Sequence, residues 1–273
     1  MRVVVSLTTI PSRVQYLGGI LDCLHRQTYP IDAIYINLPY SSRREGKEYP
    51  PLPAGLNMKN VRVTRCDDLG PITKLAPTLD RERHPDTLII TVDDDMEYEV
   101  TRVEELVNWA QRFPGAAVAG SGKIVGQWHN CFGYVRNVSQ PTAVSIIEGD
   151  YGCGYRRKFF SIDLLDYTGA PEGAFYNDDV WISGYLARRG IVRIVHPGAS
   201  APIHNRHLPN PLSGEWIQFL QRFLPAVQHF RDQGFFNEPQ VMPAHRTVGF
   251  WVVLGILVLA ASGGFAAYKL SGR

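Results

Sequence analysis

The chain has 273 residues, 45% of them hydrophobic and 20% charged, with a formal net charge of +2. That composition excludes a disordered or low-complexity chain, and the near balance of charge gives no reason to expect a nucleic-acid partner. Its four cysteines, Cys23, Cys66, Cys131 and Cys153, lie far apart with no C-x-x-C pair, which argues against a zinc site or a disulfide framework.

After Arg2, the run Val3–Leu7 is too short for the apolar core of a secretory leader and reads instead as the first strand, Val3–Thr8. Thr8-Thr9-Ile10-Pro11-Ser12-Arg13 is the turn after it. Ser12 is placed to cap a helix running to about residue 28, with Leu17, Ile20, Leu21 and Leu24 on one face. Tyr29-Pro30 stops that helix, and Ala33–Asn37 is the next strand. Strand, helix and strand in so short a stretch make a βαβ unit, the start of a mostly parallel sheet. Residues 39–60 carry Pro39, Pro50, Pro51 and Pro53 beside Arg43, Arg44, Glu45, Lys47 and Glu48, and read as a long solvated loop. Val61–Arg65 is a third strand. It leads through Asp67-Asp68-Leu69-Gly70-Pro71 to Thr73, Lys74 and Leu75, which open a helix. Its first turn offers a lysine and free backbone N–H groups to a phosphate.

Thr87–Val92 is the β-branched run of a buried strand, and it ends abruptly in Asp93, Asp94 and Asp95. Three adjacent acids cannot be buried unpaired. They are therefore expected just beyond the strand's carboxyl end, where open α/β sheets bind ligands. The spacing Asp93-x-Asp95 suits a hard divalent cation that also grips nucleotide phosphates; an acidic surface loop is the alternative. Arg102–Arg112 follows as a helix, Ala116–Ala119 as a strand, Gly120-Ser121-Gly122 as a turn and Val144–Ile147 as another strand. In the stretch after it, Gly152 and Gly154 would let the backbone approach a ligand closely, a plain tight turn being the alternative.

Asp178 and Asp179 open a helix that runs to Gly190, where acids are favoured by capping and by the helix dipole. One acid suffices for a cap, which leaves the other for chemistry. Ile191–Val195 is the last strand. Of the histidines beyond it, His196, His204 and His207, one is a candidate metal ligand. Glu215–Gln233 is an amphipathic helix that Pro225 should kink or divide, either packed on the domain or lying on a membrane surface. After a linker over 234–247, Val248–Tyr268 carries no formal charge and is long enough to span a bilayer. Trp251 and Tyr268 sit near its ends, with Arg246 before and Lys269 after it. A buried core helix is the alternative.

Taken in order, Leu7-Thr8-Thr9-Ile10-Pro11-Ser12-Arg13, Leu69-Gly70-Pro71-Ile72-Thr73-Lys74-Leu75, Val92-Asp93-Asp94-Asp95 and Asn177-Asp178-Asp179-Val180-Trp181-Ile182-Ser183 resemble a nucleotide-sugar-dependent glycosyltransferase of the GT-A fold. The resemblance extends to the small glycosyltransferase domains of giant and algal DNA viruses, and it covers residues 1–212. It implies an α/β fold with a Rossmann-like, mixed, mostly parallel sheet flanked by helices, to which the chain adds a C-terminal transmembrane helix. It implies that Asp95 binds Mn²⁺ or Mg²⁺, with Asp93 on the ribose or the metal and His204 completing the site, although His207 is close enough to compete. Thr8, Pro11, Arg13, Asp68 and Lys74 would line the nucleotide pocket, together with Asp94, Gly152 and Gly154. Asp178 and Asp179 match the acid pair that meets sugar and acceptor, Asp179 being the general base of an inverting reaction. The commoner form of that pair is Glu-Asp, so the assignment of the base is open.

The expected organisation is thus a catalytic domain over 1–212, an amphipathic helical segment over 213–233, a linker and a membrane anchor over 248–268. The expected activity moves a sugar from a nucleotide diphosphate sugar, UDP-linked in the first instance, to a glycan or other hydroxyl acceptor. A C-terminal anchor without a leader would leave the catalytic domain cytosolic. The competing readings are a metal-dependent phosphohydrolase or nucleotidyltransferase, and a membrane-tethered glycan-binding protein with a degenerate site.

Overall fold

The computed structural model describes residues 1–126, 132–205, 208–211 and 216–236. The apolar run 248–268 and His207 lie outside them, and among the described residues no helix is long and apolar enough to cross a membrane.

The first strand, β1 (Val3–Thr8), is buried on both faces, as a central parallel strand must be. Val3, Val5 and Leu7 pack on one side with α1 (Leu17–His25), while Val4 belongs to the core on the other side. The chain enters α1 through a 3-10 turn, Pro11–Tyr16, and the expected cap does not form. Ser12 gives its Oγ and its N–H to Glu45 instead, at 2.5 and 3.0 Å. Strand β2 (Ala33–Pro39) pairs parallel with β1 from Val4↔Ala33 to Thr8↔Asn37. The expected loop after it contains a small hairpin, β3 (Ser41–Ser42) and β4 (Lys47–Glu48), and the chain returns as β5 (Val61–Cys66). A 3-10 turn, Gly70–Lys74, precedes α2 (Ala76–Arg81).

The remaining elements are β6 (Leu88–Thr91), β7 (Met96–Glu97), α3 (Arg102–Arg112), β8 (Ala116–Ala119), β9 (Gly122–Val125), β10 (Phe132–Val135), β11 (Thr142–Ala143), β12 (Ile146–Ile147), β13 (Cys153–Arg156), α4 (Asp178–Arg188), β14 (Val192–Val195), β15 (His204–Asn205) and α5 (Trp216–Asp232). Eight strands form one sheet in the order β11-β14-β8-β13-β6-β1-β2-β5. β6, β1, β2 and β5 run parallel, as do β8 and β14. α1 and α3 cover one face of the sheet and α2, α4 and α5 the other, so the architecture is a mixed, mostly parallel α/β sheet flanked by helices.

Two expectations need correction. The glycine-rich stretch after residue 147 is not simply a turn: Cys153–Arg156 becomes β13, inserted antiparallel between β6 and β8. Gly154 serves packing there, because a Cβ would stand 3.1 Å from Val118 Cγ2. Of the strand expected over 144–147 only Ile146–Ile147 forms, as β12 pairing with β9, and the residues just before it, Thr142–Ala143, form β11 against β14. α5 continues through Pro225 without being divided. Its Phe223, Ala226, Val227 and Phe230 join the core that contains α4, so this face of the helix packs on the domain.

Where α5 crosses the turn Glu172–Tyr176, a Cβ on Gly173 would lie 2.3 Å from the Arg222 carbonyl oxygen. Backbone cannot yield as a side-chain tip can. Gly173→Ala is therefore expected to lower stability by about 1–3 kcal/mol, measured as a shift of the urea midpoint at unchanged slope; an unshifted midpoint would show that this contact is not tight.

Candidate active site

A cavity of about 470 Å³ opens where the carboxyl ends of β1, β2 and β6 meet the amino end of α4. Its floor is set by a buried polar knot. Ser6 Oγ donates to the Lys74 carbonyl at 2.5 Å and lies 2.6 Å from Thr78 Oγ1. Asn37 Nδ2 donates to Thr78 Oγ1 at 3.0 Å. These contacts hold the 70–74 turn against the sheet and send the Lys74 side chain into the cavity. Its Nζ sits 2.6 Å from Asp93 Oδ1 and 3.1 Å from Asp178 Oδ2. Burial pulls the ammonium pKa down, but the carboxylates of Asp178, Asp93 and Asp179 outweigh it and hold the group well above the ordinary lysine value.

The three acids after β6 differ in role. Asp94 turns inward, taking Arg13 Nη1 at 2.8 Å and Thr9 Oγ1 at 2.5 Å. Burial raises its pKa against the pull of Arg13. Asp95 shares the same Arg13 Nη1 at 3.1 Å, and its side chain is 26% exposed. Burial, then Asp93 and Asp94, push its pKa up to about 6. Each of Asp93 and Asp95 is engaged through one oxygen among the described residues. Across the cavity, Asp179 Oδ1 accepts the Gly149 N–H at 3.1 Å. Burial and the neighbouring Asp178 hold its pKa well above the usual carboxylate value.

Of the other expected site residues, Thr8 and Asp68 line the cavity. Thr8 Oγ1 donates to the Asn37 carbonyl at 2.8 Å. Asp68 accepts the N–H groups of Gly70 and Arg43, at 2.8 and 2.7 Å, and so ties the turn to the hairpin. Pro11 is buried at the start of its turn, and Gly152 and Gly154 lie at and within β13; none of the three is on the cavity wall. Gly152 has φ +75° and Gly154 is packed against β8, so these glycines answer to the sheet rather than to the cavity. The backbone of His204 pairs with Glu97, close after the three acids, and its side chain lies outside the described residues. Among the described residues no three His, Cys, Asp or Glu side chains form a ready metal cage.

The structure also brings in residues the sequence reading left elsewhere. Lys123 pairs with Glu148, and Arg136 with Asp150 at 2.7 Å. Burial and Glu148 push Asp150 up to about 6. Arg43 and Arg44, expected on a solvated loop, line the cavity, and Arg43 stands 5.2 Å over the Phe175 ring. A basic pair four residues past the end of a parallel strand was the signal available, and its proline-rich surroundings hid it.

No family model and no curated protein matches the chain. Among solved structures it is similar to "Crystal structure of S. aureus TarS 1-349 in complex with UDP", at 15% identity and a TM-score of 0.44, covering 74% of this chain and 59% of that one. The chain thus spans less than two thirds of that structure.

Replacing Lys74 by Met would leave Asp93 and Asp178 buried without their shared cation. We expect a loss of about 3–5 kcal/mol of stability, read by urea unfolding at pH 7; wild-type stability would show that the two acids do not depend on Lys74.

A second expectation concerns acid. Burial alone would raise the Glu45 pKa, but hydrogen bonds from Ser12 and Asn210 outweigh it and bring the value down to about 2 from its ordinary 4.5. A depressed carboxylate stabilises the fold fully above the unfolded value and loses that contribution as pH falls through the folded one. Wild type should therefore lose more stability than Glu45→Gln as pH falls from about 4.5 towards 2. Parallel urea midpoints for the two chains across that range would contradict it.

Proposed function

We propose that the chain is a nucleotide-sugar-dependent glycosyltransferase of the GT-A kind, taking a UDP-sugar as donor and a glycan or other hydroxyl compound as acceptor. One observation carries the reading: two acid pairs from distant parts of the chain, Asp93 with Asp95 and Asp178 with Asp179, face one cavity with Lys74 between them. Ligands of open α/β sheets bind beyond the carboxyl ends of the strands, which is where this cavity lies.

A divalent cation fits the donor set. Mg²⁺ and related hard ions use one or two carboxylates and complete their shell with substrate phosphates and water. Asp95 and Asp93 would hold it, and a bound cation would offset the burial and the neighbouring acids, Asp93 and Asp94, that raise the proton affinity of Asp95. When bound, the cation supplies charge stabilisation for the departing nucleoside diphosphate.

The chain's own residues do the rest. Arg13 and Asp94 fix the backbone from which Asp95 projects. Lys74 balances the acids on both walls. Asp179 is suited to receive the proton of the acceptor hydroxyl, because burial and Asp178 raise its affinity for a proton. This reading takes the run 248–268 as a membrane anchor with the catalytic domain on the cytosolic side.

The experiment is calorimetry of UDP binding with and without Mn²⁺, followed by turnover with UDP-sugars. Asp95→Asn should weaken Mn²⁺-dependent UDP binding by about tenfold or more. Asp179→Asn should leave UDP binding in place and lower transfer by roughly a hundredfold or more. Mn²⁺-dependent UDP affinity equal to wild type in the first variant would remove Asp95 from the cation site, and full turnover in the second would remove Asp179 as base. Release of phosphate from the donor without sugar transfer would favour a phosphohydrolase.

A further inference from the structure

At the mouth of the cavity, Arg13 and Arg44 converge on one atom. Arg13 spends Nη1 on Asp94 and Asp95, and turns Nε and Nη2 to the carbonyl oxygens of Pro209 and Asn210, at 2.8 and 3.3 Å. Arg44 Nη2 donates to the same Asn210 carbonyl. Two guanidinium groups on one neutral oxygen is an arrangement suited to an anion, since charge-assisted bonds to a phosphoryl oxygen are about twice as strong as those to a carbonyl.

The surroundings point the same way. Arg44 is half-buried, and its pKa is lowered by that burial and by Arg13, with Arg222 of α5 adding to the effect; Glu45 and Asp94 oppose it. Arg222 stands 4.7 Å over the ring of Tyr176, which lines the cavity. Among the described residues neither Arg44 nor Arg222 forms an ion pair with a carboxylate, whereas Arg13 and Lys74 do. Three elements far apart in sequence thus bring like charges together, and among the described residues carboxylates pair only with Arg13 of the three, so an anion bound beside Arg44 and Arg222 would relieve their repulsion.

We infer that Arg13, Arg44 and Arg222 form a phosphoryl-binding site at the mouth of the cavity, and that the Asn210 carbonyl holds the place of a phosphoryl oxygen in the free protein. The backbone at Asn210 fits a stand-in of this kind. It adopts φ +51° and is tethered by its own side chain, which donates to Glu45 Oε1 at 2.7 Å. The phosphoryl group belongs either to the diphosphate of the donor or to a phosphate on the acceptor, and the chemistry of recognition is the same for both. The site goes beyond the glycosyltransferase reading and does not need it.

The test is calorimetry of the full chain with inorganic pyrophosphate, without divalent cation, so that the acids after β6 contribute no metal-mediated affinity. Arg44→Gln and Arg222→Gln should each weaken pyrophosphate binding by about tenfold, and Arg44→Lys should recover part of the loss. Asn210→Pro, whose ring cannot adopt the positive φ, should withdraw the carbonyl and tighten binding severalfold. Parallel titrations separate the sources. If the arginine variants weaken UDP, the site holds the donor diphosphate; if they weaken a hexose phosphate and spare UDP, it holds an acceptor phosphate. Equal pyrophosphate affinity in wild type and both Gln variants would overturn the inference, as would wild-type affinity in Asn210→Pro for the stand-in. Arginine-dependent pyrophosphate binding in a chain that binds no UDP even with Mn²⁺ would keep the site and dismiss the glycosyltransferase reading.

Discussion

The Lys74 ammonium between Asp93 and Asp178 is the contact on which the site depends. One acid ends a central strand, the other begins a helix on the opposite wall, and the lysine comes from a turn between them in space. Separated from their cation, the two acids would repel across a cavity that excludes much of the solvent, and the walls would have no electrostatic reason to stay together. The fold invests in placing this one nitrogen: Ser6, Asn37 and Thr78, all buried, are spent on the backbone of the turn that carries it.

Arg13 does related work at the other end of the acid triplet. It grips Asp94 and Asp95 with one nitrogen and the 209–210 carbonyls with the others, so the loop after the last sheet strand is drawn to the same place as the strand end. The acids are thereby sorted by environment. Asp94 is closed in by Thr9 and Arg13, while Asp93 and Asp95 keep a face to the cavity. Equal residues in one tripeptide acquire unequal chemistry because the strand ends there and the chain turns.

Burial of α5 on α4 explains why the cavity has an aromatic side. Phe223 and Phe230 are core residues on one face of that helix, and Phe219 and Phe223 also reach the cavity wall. The glycines at 173 and 184 permit the approach, since a Cβ at either would lie 2.3 Å from α5 atoms. Neither glycine announces this locally; each looks like an ordinary turn or helix residue until its partner from far along the chain arrives.

By itself the sequence determined strands β1, β2, β5, β6, β8 and β14 and helices α1, α3, α4 and α5, because apolar periodicity and β-branched runs act over a few residues. It also determined that Asp93–Asp95 end a buried strand and that Asp178 and Asp179 begin a helix, since neither set can be accommodated inside its element. Tertiary structure alone decided what depends on partners distant in sequence. It turned Ser12 from a cap into a donor to Glu45 and made Cys153–Arg156 a central strand. It also carried Arg43 and Arg44 from a presumed solvated loop into the cavity wall. A hydrogen-bond partner, a sheet neighbour and a counter-charge are all supplied by other parts of the chain, and no local pattern records which part will come.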